Sequence, residues 1–108
     1  MKKITDKFDS FLMNYKNITV AGSGVLGYQI AFQTAFHGFN VTVYDINDEV
    51  LEKAKGKFEI MSSAFKSDLN ASQQQLEDTY QKLRYSSNLE EAVKDADLLI
   101  EAVPENPQ

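Results

Sequence analysis

Asn17-Ile18-Thr19-Val20-Ala21-Gly22-Ser23-Gly24-Val25-Leu26-Gly27 is the stretch whose reading decides the fold. Asn17 to Ala21 is a short β-rich run of the kind a parallel sheet covers on both faces. Gly22, Gly24 and Gly27 then fall at G-x-G-x-x-G spacing, with Ser23, Val25 and Leu26 between them. That pattern alone is weak. It gains meaning because it follows a strand directly and opens a helix. Gly22 permits the tight turn, Gly24 lets a pyrophosphate approach the backbone with no Cβ in the way, and Gly27 lets helix and strand pack closely. A diphosphate there faces the unpaired N–H groups and the positive dipole end of the helix. Three of the five glycines lie within these six residues. The competing reading is a tight strand-to-helix turn with no ligand.

Downstream, Val25 to His37 reads as a helix with Ile30, Ala31, Thr34 and Ala35 on one face, closed by Gly38. Val41-Thr42-Val43-Tyr44 reads as a second strand ending at Asp45, 23 residues after Gly22 and 18 after Gly27. A carboxylate at that place accepts hydrogen bonds from the adenosine ribose hydroxyls of a dinucleotide. The competing role for Asp45 is to cap a helix ahead of Ile46-Asn47. A carboxylate repels a 2′-phosphate, and neither Ile46, Asn47 nor Asp48 offers a cation to hold one. The only arginine is Arg84. NAD is therefore favoured over NADP.

Asn47 can cap the next helix, with Asp48 and Glu49 in its first turn. Val50, Ala54, Phe58, Met61 and Phe65 repeat at helical spacing, so that helix is long. Ser72 with Gln75 reads as a capping box ahead of Leu76, Tyr80 and Leu83. Leu83 to Ser86 reads as a third strand, Asn88 with Glu91 as another capping box, and Asp97 to Val103 as a fourth strand ended by Pro104. Strands alternating with helices predict an α/β fold of Rossmann type: a parallel sheet in the order 3-2-1-4 with flanking helices and right-handed crossovers. Ala102, Val103, Pro104 and Glu105 would then enter the crevice between the first and fourth strands. Glu105 is placed to touch the nicotinamide ribose or the substrate, and a solvated loop glutamate fits it equally well.

Ile4, Phe8, Phe11, Leu12 and Tyr15 describe one face of an amphipathic helix over residues 1–16, suited to packing on the core or to meeting a partner. Residues 17–108 form the dinucleotide unit, and the sequence stops where a complete domain of this type continues, so the expectation is a partial domain. The fourth strand would then lie at a sheet edge, which invites a homodimer or a cover made by the N-terminal helix.

The composition is that of a globular domain, 43% hydrophobic and 25% charged over 108 residues. The net charge of −5 gives nucleic acid no electrostatic support. No apolar run is long enough to span a bilayer, and the basic N-terminus lacks the apolar segment of a secretory signal. With no cysteine, a cytoplasmic location is expected. His37, the sole histidine, falls at the end of the first helix opposite the glycine loop. No other histidine is present as an acid/base, and the spacing shows neither a Cys/His metal cluster nor a Ser-His pair. Lys53, Lys55 and Lys57 read as a solvated helix face.

The stretches Asn17 to Gly27 and Val41 to Asp45, together with Ile100-Glu101-Ala102-Val103-Pro104-Glu105-Asn106, resemble the 3-hydroxyacyl-CoA dehydrogenases, and more narrowly the bacterial 3-hydroxybutyryl-CoA dehydrogenases. The long helical excursion from Asp48 to Leu83 resembles the family as well; in the family a helical hairpin there lies near the CoA. The resemblance implies hydride transfer between NAD and the 3-hydroxyl carbon of an acyl-CoA, a role in fatty acid metabolism, and a place for Glu105 near the nicotinamide or substrate. The family's histidine acid/base, its paired glutamate, serine and asparagine come from later segments, and no position here matches them. The expectation is an NAD-binding portion that is inactive alone, with no catalytic residue in this chain. The alternatives are a stand-alone NAD-binding module without catalysis and an oxidoreductase like 3-hydroxyisobutyrate dehydrogenase.

Overall fold

Four strands, β1 (Asn17–Ala21), β2 (Asn40–Tyr44), β3 (Leu83–Ser86) and β4 (Leu98–Glu101), form one parallel sheet in the order β3-β2-β1-β4. They belong to a computed structural model that describes residues 16–22 and 24–102. The segment 1–15, with the expected amphipathic helix, lies outside the described residues, as do Ser23, Val103, Pro104 and Glu105. The register sets Ile18 beside Val41 and Leu98, and Val41 beside Leu83. Side chains alternate across a strand, so Ile18, Val20, Val41, Val43, Leu83 and Ile100 share one face, and Thr19, Thr42, Arg84 and Leu99 share the other.

The first face is the core. It lies under α1 (Val25–Phe36), α2 (Asp48–Asp68) and α3 (Gln73–Gln81). Phe32 of α1 and Phe58 of α2 are fully buried, with ring centroids 5.7 Å apart, and Phe65 meets Phe32 edge-on at 5.1 Å. Burial of each such ring stabilises the fold by about 2–3 kcal/mol. The short α4 (Leu89–Val93) takes the opposite face, where the Thr19 hydroxyl donates to the Ala92 carbonyl. The chain thus covers one face while it builds β1, β2 and β3, then crosses to set β4 on the far side of β1. The strand order reverses between β1 and β4, and that reversal is what positions the site.

Capping accounts for the helix starts. The Asn47 side chain accepts from the Glu49 and Val50 amides, and Ser72 with Gln75 makes the full reciprocal box. At α4 only half of the expected box forms. Asn88 accepts from the Glu91 amide, while the Asn88 N–H is taken by the Ser86 hydroxyl rather than by Glu91. The buried face of α2 runs through Leu51, Ala54, Phe58 and Phe65, one position away from the expected Val50 at its start. The described fourth strand runs Leu98–Glu101; its expected end, Val103, lies outside the described residues, and its expected first residue, Asp97, serves as an acceptor at the entry, where one carboxylate oxygen takes the Lys16 and Asn17 amides, both at 2.9 Å. Those two bonds hold the Asp97 carboxyl below the usual carboxylate range. Among the described residues no helix is long and apolar enough to cross a membrane, and no cluster of His, Asp and Glu is set to hold a metal ion.

Candidate dinucleotide site

β1 ends at Ala21 and the chain turns at Gly22, whose φ of +96° is a conformation that side chains resist. The Gly22 N–H donates to the Tyr44 carbonyl at 2.7 Å, and the Ala102 N–H donates to the Ala21 carbonyl at 2.9 Å. The turn is therefore tied to the ends of both β2 and β4. It is also tight. A Cβ on Gly22 would stand 2.8 Å from the Ala102 carbonyl oxygen, and a Cβ on Gly27 would stand 1.7 Å from the Gly22 oxygen and 3.4 Å from the Ala102 Cβ. Gly22, Gly27 and Ala102 are packed against one another at the point where the strand order reverses.

Gly24 differs from both. A Cβ there would meet nothing within 4 Å. Gly24 is the N-cap of α1 and has no side chain with which to cap it, and the first turn carries no acidic residue. The other three described helices each start from a side-chain cap. The first helical hydrogen bond of α1 runs from the Tyr28 N–H to the Gly24 carbonyl at 3.0 Å, so the amides before it have no intrahelical partner. A helix start with open space beside it, no capping side chain and no acid in its first turn is suited to an anion.

Asp45 follows β2 directly and is half-buried. Its N–H donates to the Ser86 carbonyl at 3.3 Å, and its Oδ1 accepts the Asn47 N–H at 3.0 Å. The cap of α2 is Asn47, so Asp45 does not fill the helix-capping role that competed with its ribose role. Ile46, between them, is 82% exposed. Lys55 is engaged elsewhere: its Nζ pairs with Glu52 at 2.9 Å and lies 4.9 Å from the centre of the Tyr85 ring. Lys57 lies 5.1 Å from the centre of the Tyr28 ring. The expected solvated lysine face is thus only partly that, since two of its three members rest on aromatic rings. Arg84 pairs in register with Thr42, three residues before Asp45.

His37 is exposed at the far end of α1, with Nδ1 2.8 Å from the Gln33 carbonyl. A helix of 12 residues separates it from the glycine turn by roughly 18 Å. Tyr85 sits in β3 against Phe58, and its burial, reinforced by Tyr80 and Glu52, pushes its hydroxyl up to about 12. A groove of about 610 Å³ opens on the α4 face among Asn17, Thr42, Arg84, Lys94 and Asp95. It contains none of Gly22, Gly24, Gly27 or Asp45. The glycine turn, with its helix amides, is the better match to a dinucleotide.

The structure therefore brings Gly22, Gly24, Gly27 and Ala102 together at the strand reversal and sets Asp45 at the end of the adjoining strand. Sequence reasoning missed the bond from Asn47 to Asp45, although an Asp followed two residues later by a helix-capping Asn is the pattern of such a turn.

A glycine turn between a parallel strand and an uncapped helix, with a carboxylate ending the next strand, defines a dinucleotide-binding domain of Rossmann type. Residues 17–108 match the family model for the NAD binding domain of 3-hydroxyacyl-CoA dehydrogenase. The chain belongs to that family, and the cofactor of this domain is NAD. A probable 3-hydroxyacyl-CoA dehydrogenase of Caenorhabditis elegans is 34% identical over 100 residues, covering 88% of this chain and 32% of that protein. A diketoreductase, solved in a study of its dual catalysis of dicarbonyl compounds, superposes with a TM-score of 0.80 at 50% identity, covering 85% of this chain and 33% of that one. The 3-hydroxybutyryl-CoA dehydrogenase of Escherichia coli superposes with a TM-score of 0.78 at 31% identity, covering 86% of this chain and 20% of that one. The chain thus spans about a third of the length of its curated relative.

Proposed function

We propose that this chain is the NAD-binding portion of a 3-hydroxyacyl-CoA dehydrogenase, of the 3-hydroxybutyryl-CoA type. In this reading Gly22, Ser23, Gly24, Val25, Leu26 and Gly27 hold the diphosphate against the start of α1. Asp45 and Ile46 take the adenosine ribose. Ala102, Val103 and Glu105 border the nicotinamide side; the roles of Ser23, Val103 and Glu105 rest on their sequence positions. The observation that carries the reading is the open space at Gly24 between two glycines that are sterically filled. Bound NAD supplies the hydride acceptor for the 3-hydroxyl carbon of an acyl-CoA. This chain's residues bind and orient it, and the only histidine, His37, is too far from the glycine turn to act as acid/base. The polypeptide therefore binds NAD(H) without turnover. Fatty acid metabolism and a cytoplasmic setting belong to the same reading. So does pairing of a second copy along the outer edge of β4, whose one hydrogen-bonded neighbour in the sheet among the described residues is β1.

A turnover assay with NAD and 3-hydroxybutyryl-CoA, run beside an NADH titration, tests this. The expected result is saturable NADH binding with no NADH formed. Turnover near a typical enzyme rate, roughly 10 per second, refutes it. The 50% identity to the diketoreductase favours a second reading, in which the substrate is a dicarbonyl compound without CoA. Binding of such a diketone, and not of acetoacetyl-CoA, to the NADH-loaded protein would favour that reading over the first.

A further inference from the structure

We propose that Ala102 is a positioning residue for the diphosphate: its bulk sets how closely the start of α1 stands to the end of β1, and with it the aim of the helix amides. The inference rests on the assignment of the diphosphate to the glycine turn. Ala102 follows β4 and is 6% exposed. It lies on the core face of the sheet, in line with Leu98 and Ile100. Its N–H donates to the Ala21 carbonyl at 2.9 Å, so its backbone is held by the end of β1. From there it meets both ends of the turn. Its carbonyl oxygen stands 2.8 Å from where a Cβ on Gly22 would begin, and its methyl stands 3.4 Å from where a Cβ on Gly27 would begin.

The two contacts differ in kind. The carbonyl contact is backbone and is the same for any residue at 102. The methyl contact depends on the side chain. A larger side chain at 102 has the Gly27 backbone in front of it, and the Gly22 oxygen already fills the space beside Gly27. The far part of α1 has no room to follow, because Ala31, Phe32 and Ala35 are at most 1% exposed in a close-packed core. Extra bulk at 102 therefore lifts the first turn of α1 and leaves the rest of the helix packed. The amides ahead of Tyr28 N–H, which have no intrahelical partner, then point away from the diphosphate. The adenosine end of the site is spared. Asp45 and Ile46 follow β2, which lies on the other side of β1 from β4.

The test compares Ala102→Val, Ala102→Ser and Ala92→Val in the full chain, each titrated with ADP and with adenosine and each melted thermally. ADP carries a diphosphate without a nicotinamide, so a direct clash on the nicotinamide side does not enter. Adenosine lacks the diphosphate. Ala92 is 4% exposed on α4, across the sheet from the turn, so Ala92→Val is the control for overpacking alone. Ala102→Val is expected to weaken ADP about ten-fold, the equivalent of one lost charge-assisted hydrogen bond, and adenosine by less than about two-fold. Ala102→Ser, with a smaller side chain than valine, is expected to weaken ADP about three-fold with the same selectivity, and it decides the matter should Ala102→Val not fold. Ala92→Val is expected to lower the melting temperature comparably and leave the ratio of the two affinities unchanged. ADP binding that is unweakened, or weakened no more than adenosine binding, in the folded Ala102 variants overturns the positioning role while leaving the NAD reading intact. A ratio shifted equally by Ala92→Val does the same. Failure of the unaltered chain to bind ADP takes the diphosphate away from the turn and overturns both.

Discussion

Adding one methyl group at Gly27 and one at Gly24 should damage this protein in opposite ways. In Gly27→Ala the new Cβ falls 1.7 Å from the Gly22 oxygen and 2.8 Å from the Gly22 carbonyl carbon. Both atoms are backbone, and Gly22 is bound to Tyr44, so the contact has no flexible side chain to yield. Helix α1 must withdraw from the turn by more than an ångström. That movement drags Ala31, Phe32 and Ala35, none more than 1% exposed, out of their packing. Overpacking of this kind costs about 3 kcal/mol. At roughly 4–8 °C per kcal/mol for a domain of this size, the melting temperature should fall by more than about 10 °C. In Gly24→Ala the new Cβ meets nothing, and the φ of −70° is ordinary for alanine. Reduced freedom of the unfolded chain stabilises by about 0.4–1 kcal/mol, offset by a similar loss because alanine is a poorer N-cap than glycine. Stability should change by less than about 1 kcal/mol, while the methyl stands where the diphosphate approaches and NADH binding falls sharply. Thermal melts and NADH titrations on both variants decide the matter. A Gly24→Ala protein that binds NADH normally, or that melts as low as Gly27→Ala, refutes the steric division of labour.

Three further outcomes follow from single groups. Thr34 is 1% exposed and its hydroxyl has no hydrogen-bond partner among the described residues, so Thr34→Val should raise stability by about 1 kcal/mol, read from a denaturant melt. Tyr85, pushed up to about 12 mainly by burial, favours the neutral phenol in the fold. Its contribution to stability is intact below the usual 10 and is lost as pH rises from there toward 12; an ultraviolet titration in which Tyr85→Phe removes no late-ionising phenol would contradict this. Asp97 is held low by the Lys16 and Asn17 amides, so its contribution is present above the ordinary carboxylate range and disappears as pH falls through the lowered value. Asp97→Asn should therefore lower the melting temperature at neutral pH and cease to matter in strong acid.

The glycine turn and the place of Asp45 were legible in the sequence because each depends on local chemistry, and the strand order followed from the right-handed crossover rule for alternating strands and helices. Glycine spacing, β-rich runs and capping residues act within a few positions of themselves. Contacts between distant segments were not legible. Nothing local announces that Ala102 closes on Gly22 and Gly27, that Ser86 receives the Asp45 amide, or that Asp97 closes the start of β1 across 80 residues. The helix faces illustrate the same limit. Spacing found the long α2, yet Leu51 rather than Val50 begins its buried face, because the direction of the core relative to the Asn47 cap is a tertiary property. Spacing alone makes Lys55 and Lys57 look solvated, because the rings of Tyr85 and Tyr28 beneath them come from other elements. The notion that Asp45 caps a helix failed for a local reason: Asn47, two residues on, takes that role.

In the proposed function the turn from Gly22 to Gly27 and the carboxylate of Asp45 hold NAD together. Calorimetric titration of the unaltered chain and of Asp45→Ala with NADH and with NADPH tests it most directly. Saturable NADH binding is expected, with weaker NADPH binding and a loss of about 1–3 kcal/mol of NADH affinity in Asp45→Ala. Equal or tighter binding of NADPH, or an Asp45→Ala protein that binds NADH as well as the unaltered chain, would contradict it.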